Sequence, residues 1–264
     1  MAWPTERLQR ALPDVRLQIL PEVESTNTRL AEQFQQGETS PRLLVAERQS
    51  AGRGRQGRGW VSAPGASLTF SLARCLRPGD WSGLSLAVGA VLADAIEPQT
   101  SHPTPRLGLK WPNDLWLADG ADGPWRKLGG ILIETVTAGA ERACVVGIGL
   151  NVQPLACAAD LDTGHACVQE LDPGWRPDTL LERVAPPLVA ALEQFERDGF
   201  GAFAQAFARR DLLRGRPVVT RGGTTIEGLA EGVDAQGRLL LRTASGLLRV
   251  SSGEVGVRPR QAVD

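Results

Sequence analysis

A glycine-rich loop with three arginines is the first segment whose residue types suit chemistry. The run from Gly52 to Arg58 places Arg53, Arg55 and Arg58 on a backbone that glycine leaves flexible. Guanidinium groups hold phosphate or carboxylate oxygens through paired hydrogen bonds. The run lacks the Gly-Lys-Ser/Thr ending of a P-loop. From these residues alone, an anion-binding loop, a solvated basic loop and a short Arg/Gly RNA-binding stretch all remain open.

The turn from Lys110 to Asp114 is the second such segment, and it reads Lys-Trp-Pro-Asn-Asp. Proline fixes the turn and therefore the directions of the neighbouring side chains. A lysine at the end of an apolar strand indicates a buried ammonium against an oxygen, with the Asn113 amide and the Asp114 carboxylate beside it. This grouping suits a nucleotide with its metal ion, and a tight turn capped by Asn-Asp is the structural alternative.

Glycines inside two predicted strands indicate a surface that a flat ligand can cross. The strands are Lys127 to Glu134 and Gly147 to Asn151. A glycine in a strand interior usually marks a bulge or a close approach to the backbone. Ser25 to Asn27 opens a predicted helix, where a hydroxyl either caps the helix or, with the helix N–H groups, receives a polar ligand head.

The scarcity of lysine and asparagine draws attention to the same segments. Among 29 basic residues, lysine occurs only as Lys110 and Lys127, and asparagine occurs only as Asn27, Asn113 and Asn151. Arginine cannot replace a compact ammonium, and aspartate cannot donate as an amide does. The composition therefore indicates that these five positions need their residue types.

Composition excludes several classes of protein. The chain has 264 residues, a formal net charge of -1, four cysteines and two histidines. The near-neutral charge argues against a sequence-independent nucleic-acid binder, and the isolated cysteines and histidines argue against a zinc site or a Ser-His-Asp triad. No apolar run reaches about 18 residues and the N-terminus has no signal-peptide core, so we expect no membrane span and a cytoplasmic location.

The elements that must position these segments follow from periodicity. Helical spacing predicts helices over residues 25–36, 81–97, 178–197 and 200–210, the third interrupted at Pro186 and Pro187. Strands are predicted over residues 42–47, 67–73, 107–111, 114–117, 128–136 and 142–150, the last two as a hairpin. Short alternating segments over 217–250 predict a small β-barrel. We therefore expect domains at residues 1–213 and 214–264.

Taken in order, the motifs resemble those of the biotin protein ligases (biotin–acetyl-CoA-carboxylase ligases) of the short bacterial type. The resemblance is strong from Val23 to Val152 and general in the β-rich tail. It implies an α+β fold, with a mixed sheet and flanking helices as in class II synthetases, followed by a small SH3-like β-barrel. It also implies two reactions: biotin and ATP with Mg²⁺ give biotinyl-5'-AMP and pyrophosphate, and a lysine of the biotin carboxyl carrier protein then accepts the biotinyl group.

The resemblance also implies roles for individual residues. Biotin would be bound by Ser25, Thr26, Asn27, Gln49, Gly52, Arg53, Gly54, Arg55, Lys110, Gly147 and Gly149. The nucleotide would be bound by Arg55, Arg58, Trp60, Lys110, Asn113 and Asn151. Lys110 and Arg55 would carry catalysis by stabilising charge as a carboxylate attacks a phosphate, and Asp114 is the magnesium candidate. Because this chemistry needs no enzyme nucleophile, the lack of a triad agrees with it.

The sequence also leads to expectations about binding partners and leaves alternative functions open. The resemblance implies a biotin carboxyl carrier protein domain as the partner and leaves a homodimer open. Because 24 residues precede Ser25, too few for a winged helix-turn-helix, DNA binding is not predicted. The alternatives are a lipoate or octanoate ligase, an RNA-binding module and a non-catalytic biotin binder. We also expect a hairpin tip within residues 118–126 and a basic stretch at residues 209–221, which includes Arg210 and is either solvated or faces an anionic partner.

Overall fold

The computed structural model describes residues 3–98, 105–119, 124–155, 164–221, 225–252 and 256–259. The helices are α1 (Thr5–Ala11), α2 (Thr26–Gln35), α3 (Leu84–Ile96), α4 (Pro177–Asp198) and α5 (Ala204–Ala208). The strands of the first sheet are β1 (Arg16–Val23), β2 (Arg42–Gln49), β3 (Ser67–Cys75), β4 (Leu107–Lys110), β5 (Asp114–Ala118), β6 (Trp125–Ala138) and β7 (Glu141–Asn151). Those of the second sheet are β8 (Pro217–Arg221), β9 (Glu227–Val233), β10 (Leu239–Thr243), β11 (Gly246–Val250) and β12 (Gly256–Pro259).

A seven-stranded mixed sheet organises the larger part of the molecule. Its strand order is β1-β2-β3-β7-β6-β5-β4. β1 runs parallel to β2, and the remaining neighbours are antiparallel. The α+β class with a mixed sheet and flanking helices is therefore confirmed.

The two faces of this sheet carry cores of unequal size. Side chains alternate between faces along a strand, so Leu43 and Val45 of β2 join the large core with α3 and α4, whereas Leu44 joins a smaller core. The smaller core is completed by Leu30 and Phe34 of α2. Because α2 is short, part of the second face remains for polar groups and glycine.

The second sheet is antiparallel, with strand order β11-β10-β9-β8-β12, and agrees with the expected barrel. The linker before it adds to the edge of the first sheet. The Leu109 N–H donates to the Arg210 carbonyl at 2.7 Å, and the Leu212 N–H donates to the Leu109 carbonyl at 3.0 Å. The boundary between residues 213 and 214 stays a prediction.

Arg210 does not belong to a solvated or partner-facing basic stretch, so that expectation is wrong for this residue. Its side chain is 2% exposed and forms ion pairs with Asp94 at 2.9 Å and Glu97 at 3.0 Å. It also donates to the Leu107 carbonyl at 2.8 Å. A buried guanidinium needs such partners, so Arg210 secures the linker to α3 and β4.

Most predicted elements are confirmed, with instructive exceptions. At Pro186 and Pro187 we expected a kink or two pieces, and the division into two pieces is wrong: α4 is one helix of 22 residues. α1 and β1 were not predicted. β5 and β6 form a hairpin in which Ala118 pairs with Trp125, and its tip at residues 120–123 lies outside the described residues. No helix in the described ranges has both the length and the apolarity to span a membrane.

Candidate active site

The start of α2 forms one end of the candidate site. The Ser25 hydroxyl accepts the Thr28 N–H at 3.4 Å and so caps the helix, as the sequence predicted. The Gln49 side-chain oxygen at the end of β2 accepts the backbone N–H of Thr26 at 2.7 Å and its hydroxyl at 3.1 Å. Helix capping and the parallel pair of β1 and β2 thus bring Thr26 and Gln49 together.

Asn27 follows Thr26 on α2, and its side-chain amide hydrogen-bonds to residues of β3 and β6. Its amide nitrogen donates to the Leu132 carbonyl at 3.2 Å and to Glu134 at 2.9 Å, and its oxygen accepts the Ser71 hydroxyl at 2.6 Å. A Cβ on Gly147 would lie 2.2 Å from that oxygen. Only glycine therefore fits opposite Asn27.

The hydroxyls at this end have too few protons for the oxygens around them. Ser71 Oγ lies 2.6 Å from both Thr26 Oγ1 and Asn27 Oδ1, and Thr26 Oγ1 lies 3.1 Å from the Gln49 oxygen. These three contacts share the protons of two hydroxyls. Spare acceptor capacity in a buried cluster favours a ligand head that donates N–H groups.

Arg53 adds charge to the rim of this cluster. Its guanidinium donates to Glu134 at 2.8 and 3.3 Å and to the Thr28 hydroxyl at 3.3 Å. Glu134 therefore joins Arg53 to Asn27. Sequence reasoning gave Glu134 no role, because only the fold brings β6 next to α2.

The glycine-arginine loop folds back as a small hairpin of its own. The Gly54 N–H donates to the Arg58 carbonyl at 2.7 Å, and the Trp60 N–H donates to the Gly52 carbonyl at 2.8 Å. A Cβ on Gly52 would lie 2.3 Å from the Trp60 carbonyl oxygen, so this closure requires glycine. The loop reverses at Gln56, whose φ is 57°.

Trp60, which follows the loop, covers a glycine of β7. A Cβ on Gly149 would lie 2.4 Å from the indole ring, so the ring contacts the bare backbone. The indole N–H is buried, and nothing in the described parts of the chain accepts it. An aromatic wall with an unused donor suits a polar, flat ligand.

Two lysines and one carboxylate form the other end of the site. Asp114 lies 2.7 Å from the Lys127 ammonium and 3.8 Å from the Lys110 ammonium. Lys110 also lies 5.2 Å from the centre of the Trp116 ring. Asp114 pairs with Gly130, which in turn pairs with Gly149, so this cluster continues the glycine surface. Sequence reasoning assigned no role to Lys127, although the scarcity of lysine singles it out.

Arg55 connects the loop to this cluster and to the second sheet. It donates to the Ser252 carbonyl just beyond β11. Burial lowers the pKa of the Arg55 guanidinium, the Asp114 carboxylate opposes this, and Arg58 adds to the lowering. Arg55 and Asp114 therefore interact electrostatically, whereas the Arg58 guanidinium donates to Gln56 at 2.8 Å within the loop.

The side-chain amide nitrogens of Asn113 and Asn151 donate hydrogen bonds to backbone carbonyls. Asn113 donates to the Ile131 carbonyl at 2.8 Å. Asn151 donates to the carbonyls of Lys127 at 3.3 Å and Ala166 at 3.0 Å. These bonds hold β5, β6 and β7 in place, and nucleotide binding by either residue stays a prediction.

Metal-binding capacity from the protein is limited. The described ranges contain no cluster of three or more His, Cys, Asp or Glu side chains arranged to hold a metal ion. Asp114 is a single carboxylate that already pairs with two ammonium groups, and magnesium binding by it stays a prediction.

Comparisons with known proteins agree with this arrangement. Residues 19–151 match the Biotin/lipoate A/B protein ligase family, and residues 215–258 match the Biotin protein ligase C terminal domain. The biotin--[acetyl-CoA-carboxylase] ligase of Mycobacterium tuberculosis is 34% identical over 251 residues, which cover 91% of this chain and 88% of that protein. The bifunctional ligase/repressor BirA of Salmonella typhimurium is 34% identical over 259 residues, covering 96% and 78%.

Among solved structures, a biotin protein ligase from Aquifex aeolicus in complex with biotin and ATP superimposes with a TM-score of 0.77. It is 30% identical, and the match covers 93% of this chain and 99% of that chain. The matched ranges include both the mixed sheet and the second antiparallel sheet. The chain belongs to the Biotin/lipoate A/B protein ligase family.

Proposed function

We propose that the chain activates biotin with ATP as biotinyl-5'-AMP and transfers the biotinyl group to a lysine of the biotin carboxyl carrier protein of acetyl-CoA carboxylase. One observation carries this proposal: an acceptor-rich cluster of neutral side chains and a cluster of cations lie on one glycine-lined surface. The acceptor-rich cluster, here called the biotin end, comprises Thr26, Asn27, Gln49, Ser71 and Gly147. The cation cluster, here called the phosphate end, comprises Arg55, Lys110 and Lys127 around the carboxylate of Asp114.

The biotin end suits a ureido head. A cyclic urea presents two N–H donors and one carbonyl acceptor, and the hydroxyl cluster has spare acceptor capacity between Thr26 and Ser71. Ser25 and Arg53 would complete the rim, with Gly52 and Gly54 letting the loop approach. Gly149 and Trp60 would then line the path between the two ends. Gly147 and Gly149 let the Asn27 amide and the Trp60 indole lie against the backbone of β7, so a ligand would contact these side chains.

The phosphate end suits the reaction itself. Attack of a carboxylate on a phosphate brings two anions together, and fixed cations lower that repulsion. Lys110 and Lys127 are held on either side of Asp114, at 3.8 and 2.7 Å, so their ammonium groups are preorganised. Arg55 would add a third cation when the loop closes over the product, which also keeps water from the reactive anhydride.

Magnesium enters this proposal with the nucleotide. Mg²⁺ is commonly held by one or two carboxylates together with substrate phosphates. Asp114 would supply one oxygen, and the phosphates of ATP and water would supply the others. The ion would neutralise phosphate charge, while the residues of the chain bind and orient the reactants.

Three further residues are proposed to contact the nucleotide. They are Arg58, Asn113 and Asn151, although their described contacts are with the protein itself.

Three properties of the whole protein stay open to experiment. A cytoplasmic location and the absence of DNA binding are predictions, and a homodimer is possible. A gel-shift assay with double-stranded DNA and a sedimentation experiment with and without biotin and ATP test the last two.

Transfer to a carrier tests the proposed function. The full chain is incubated with ATP, Mg²⁺, labelled biotin and a purified apo carrier domain. We expect label on the carrier and none on a carrier variant whose acceptor lysine is replaced by arginine. Labelling by lipoate instead of biotin, or label on neither carrier from a folded protein, would contradict the proposal.

A further inference from the structure

A turn of the second sheet is inserted beside the Lys110–Asp114 turn of the first. The carbonyl of Gly237, between β9 and β10, accepts the indole N–H of Trp111 at 3.0 Å. Trp111 is 1% exposed, so this bond is buried. It joins residues 126 positions apart in the sequence.

The turn around Gly237 packs tightly against the start of α3. A Cβ on Gly237 would lie 2.8 Å from the Gly83 Cα and 3.0 Å from a methyl of Leu86, at the start of α3. The φ of Gly237 is 72°, which also favours glycine. Asp234 holds the turn from within, since its carboxylate accepts the N–H groups of Gln236 and Arg238, each at 3.0 Å.

The same helix start also holds the lysine-bearing turn. The Ser85 hydroxyl donates to the Pro112 carbonyl at 2.8 Å, one residue after Trp111. On the other side, Asn113 donates to Ile131 at 2.8 Å. The residues between Lys110 and Asp114 are therefore fixed from three directions: by the second sheet, by α3 and by β6.

We infer that Trp111 and Gly237 are positioning residues, through which the seated C-terminal sheet sets the geometry of Lys110 and Asp114. The inference rests on the proposed function and goes beyond it by making the turn of the second sheet part of nucleotide handling. The contact of the Gly237 turn with Trp111 and the start of α3 is here called the joint. The biotin end is supplied by α2, β2, β3 and β7, and none of these elements provides the contacts of the joint. Disturbing the joint should therefore weaken the use of ATP far more than the binding of biotin, which would reach the phosphate end only through its carboxylate at Lys110.

Measurements on the full chain test whether the joint affects the KM for ATP without a matching change in biotin affinity. Trp111→Phe keeps a buried ring and removes the N–H, and Gly237→Ala adds the Cβ that meets Gly83. Gly139→Ala is the matched control, because Gly139 has a φ of 60° and no atom within 4 Å of the position that an added Cβ would take. Biotin affinity is measured by calorimetry, and the KM for ATP by biotin-dependent pyrophosphate exchange, with rates expressed per biotin-binding site so that unfolded protein does not count.

We expect Trp111→Phe and Gly237→Ala each to raise the KM for ATP about fivefold or more, with biotin affinity within about twofold of wild type. In the double variant, the combined effect should be smaller than the product of the two, since both changes act on one contact. Gly139→Ala should match wild type.

Other results overturn the inference. An unchanged KM for ATP in both variants would do so, as would a parallel loss of biotin affinity, which indicates a merely structural role. If wild-type protein itself shows no biotin-dependent exchange, the proposed function fails, and that outcome is distinct from failure of the joint.

Discussion

The two ends of the candidate site are stabilised in different ways. At the biotin end, Thr26, Asn27 and Ser71 are buried and joined by neutral hydrogen bonds of 2.6 Å. At the phosphate end, Lys110 and Lys127 are separated by Asp114, and Arg55 donates to the carbonyl of Ser252, just beyond β11 of the second sheet. The biotin end is thus built from the first sheet and α2, and the phosphate end depends on charge balance and on a contact with the segment after β11.

This difference indicates a division of labour. Neutral, well-packed hydrogen-bonding groups discriminate shape and polarity, because an unpaired buried partner is costly. Fixed cations provide little shape selectivity but strongly stabilise charge that develops during reaction. Changes at the biotin end should therefore alter affinity, whereas changes at the phosphate end should alter rate.

The largest expected effect is at the phosphate end. Lys110→Ala and Lys127→Ala should each lower the rate of biotin-dependent pyrophosphate exchange by about 10²–10³-fold, since each removes a cation placed where charge develops. Biotin affinity, measured by calorimetry, should change little in Lys127→Ala and fall in Lys110→Ala, because Lys110 is also the expected contact of the biotin carboxylate. Arg77→Ala is the control, because it removes one positive charge at an exposed ion pair with Glu141. Exchange retained at the wild-type rate by either lysine variant would reject that lysine's role.

A methyl group at the biotin end should produce the next largest effect. Gly147→Ala places a Cβ 2.2 Å from Asn27 Oδ1, whose amide is held on every side and cannot withdraw. Overpacking of this kind costs about 1–3 kcal/mol, so biotin affinity should fall about tenfold or more. Calorimetry measures it against Gly139→Ala, which adds a methyl group in open space. Equal affinities for the two variants would contradict the tight fit.

Asn27→Asp tests why an amide stands at this position. The carboxylate would face Glu134 and the Leu132 carbonyl with no proton to donate, which should lower the free energy of unfolding by about 1–3 kcal/mol. Denaturant titration measures the loss. Adding Glu134→Gln supplies a donor to the new carboxylate and should restore much of the stability. A double variant that is less stable than Asn27→Asp would show that this contact is not responsible.

Arg55→Gly should lower the rate of adenylation less than the two lysine variants do and act mainly on retention of the product, because Arg55 would act as the loop closes. Losing the contact with Ser252 frees the loop, so biotinyl-5'-AMP escapes and acylates exposed lysines of a bystander protein. Label on the bystander measures the escape. Arg58→Gly removes the same charge from the same loop, but its partner is Gln56 within the loop. Bystander labelling no higher for Arg55→Gly than for wild type or Arg58→Gly would contradict this account.

Sequence reasoning found the elements with strong periodicity and missed those without it. The seven residues of α1 carry one buried side chain, Leu8, and β1 is a sheet-edge strand with little burial, so neither leaves a clear pattern. Pro186 and Pro187 predicted an interruption, but the long apolar face of α4 packs into the large core and keeps the helix continuous.

The candidate site shows the same limit. Ser25 was recognisable as a helix cap and the glycines of β7 as unusual residues inside a strand, whereas Gln49 was named only through the family resemblance. Glu134, Ser71 and Gly237 were not recognised, because their importance lies in partners 107, 44 and 126 residues away. Lys127 stood out by scarcity, but its position beside Lys110 required the pairing of β5 with β6.

Mass spectrometry of the adenylate tests the central claim most directly. The purified chain is mixed with biotin, ATP and Mg²⁺ without any carrier, and the protein-bound small molecules are released and identified. The account predicts biotinyl-5'-AMP bound to the wild-type chain, and its absence from a Lys110→Ala/Lys127→Ala variant that still binds biotin. A folded wild-type chain that binds biotin and ATP but forms no adenylate would contradict the account.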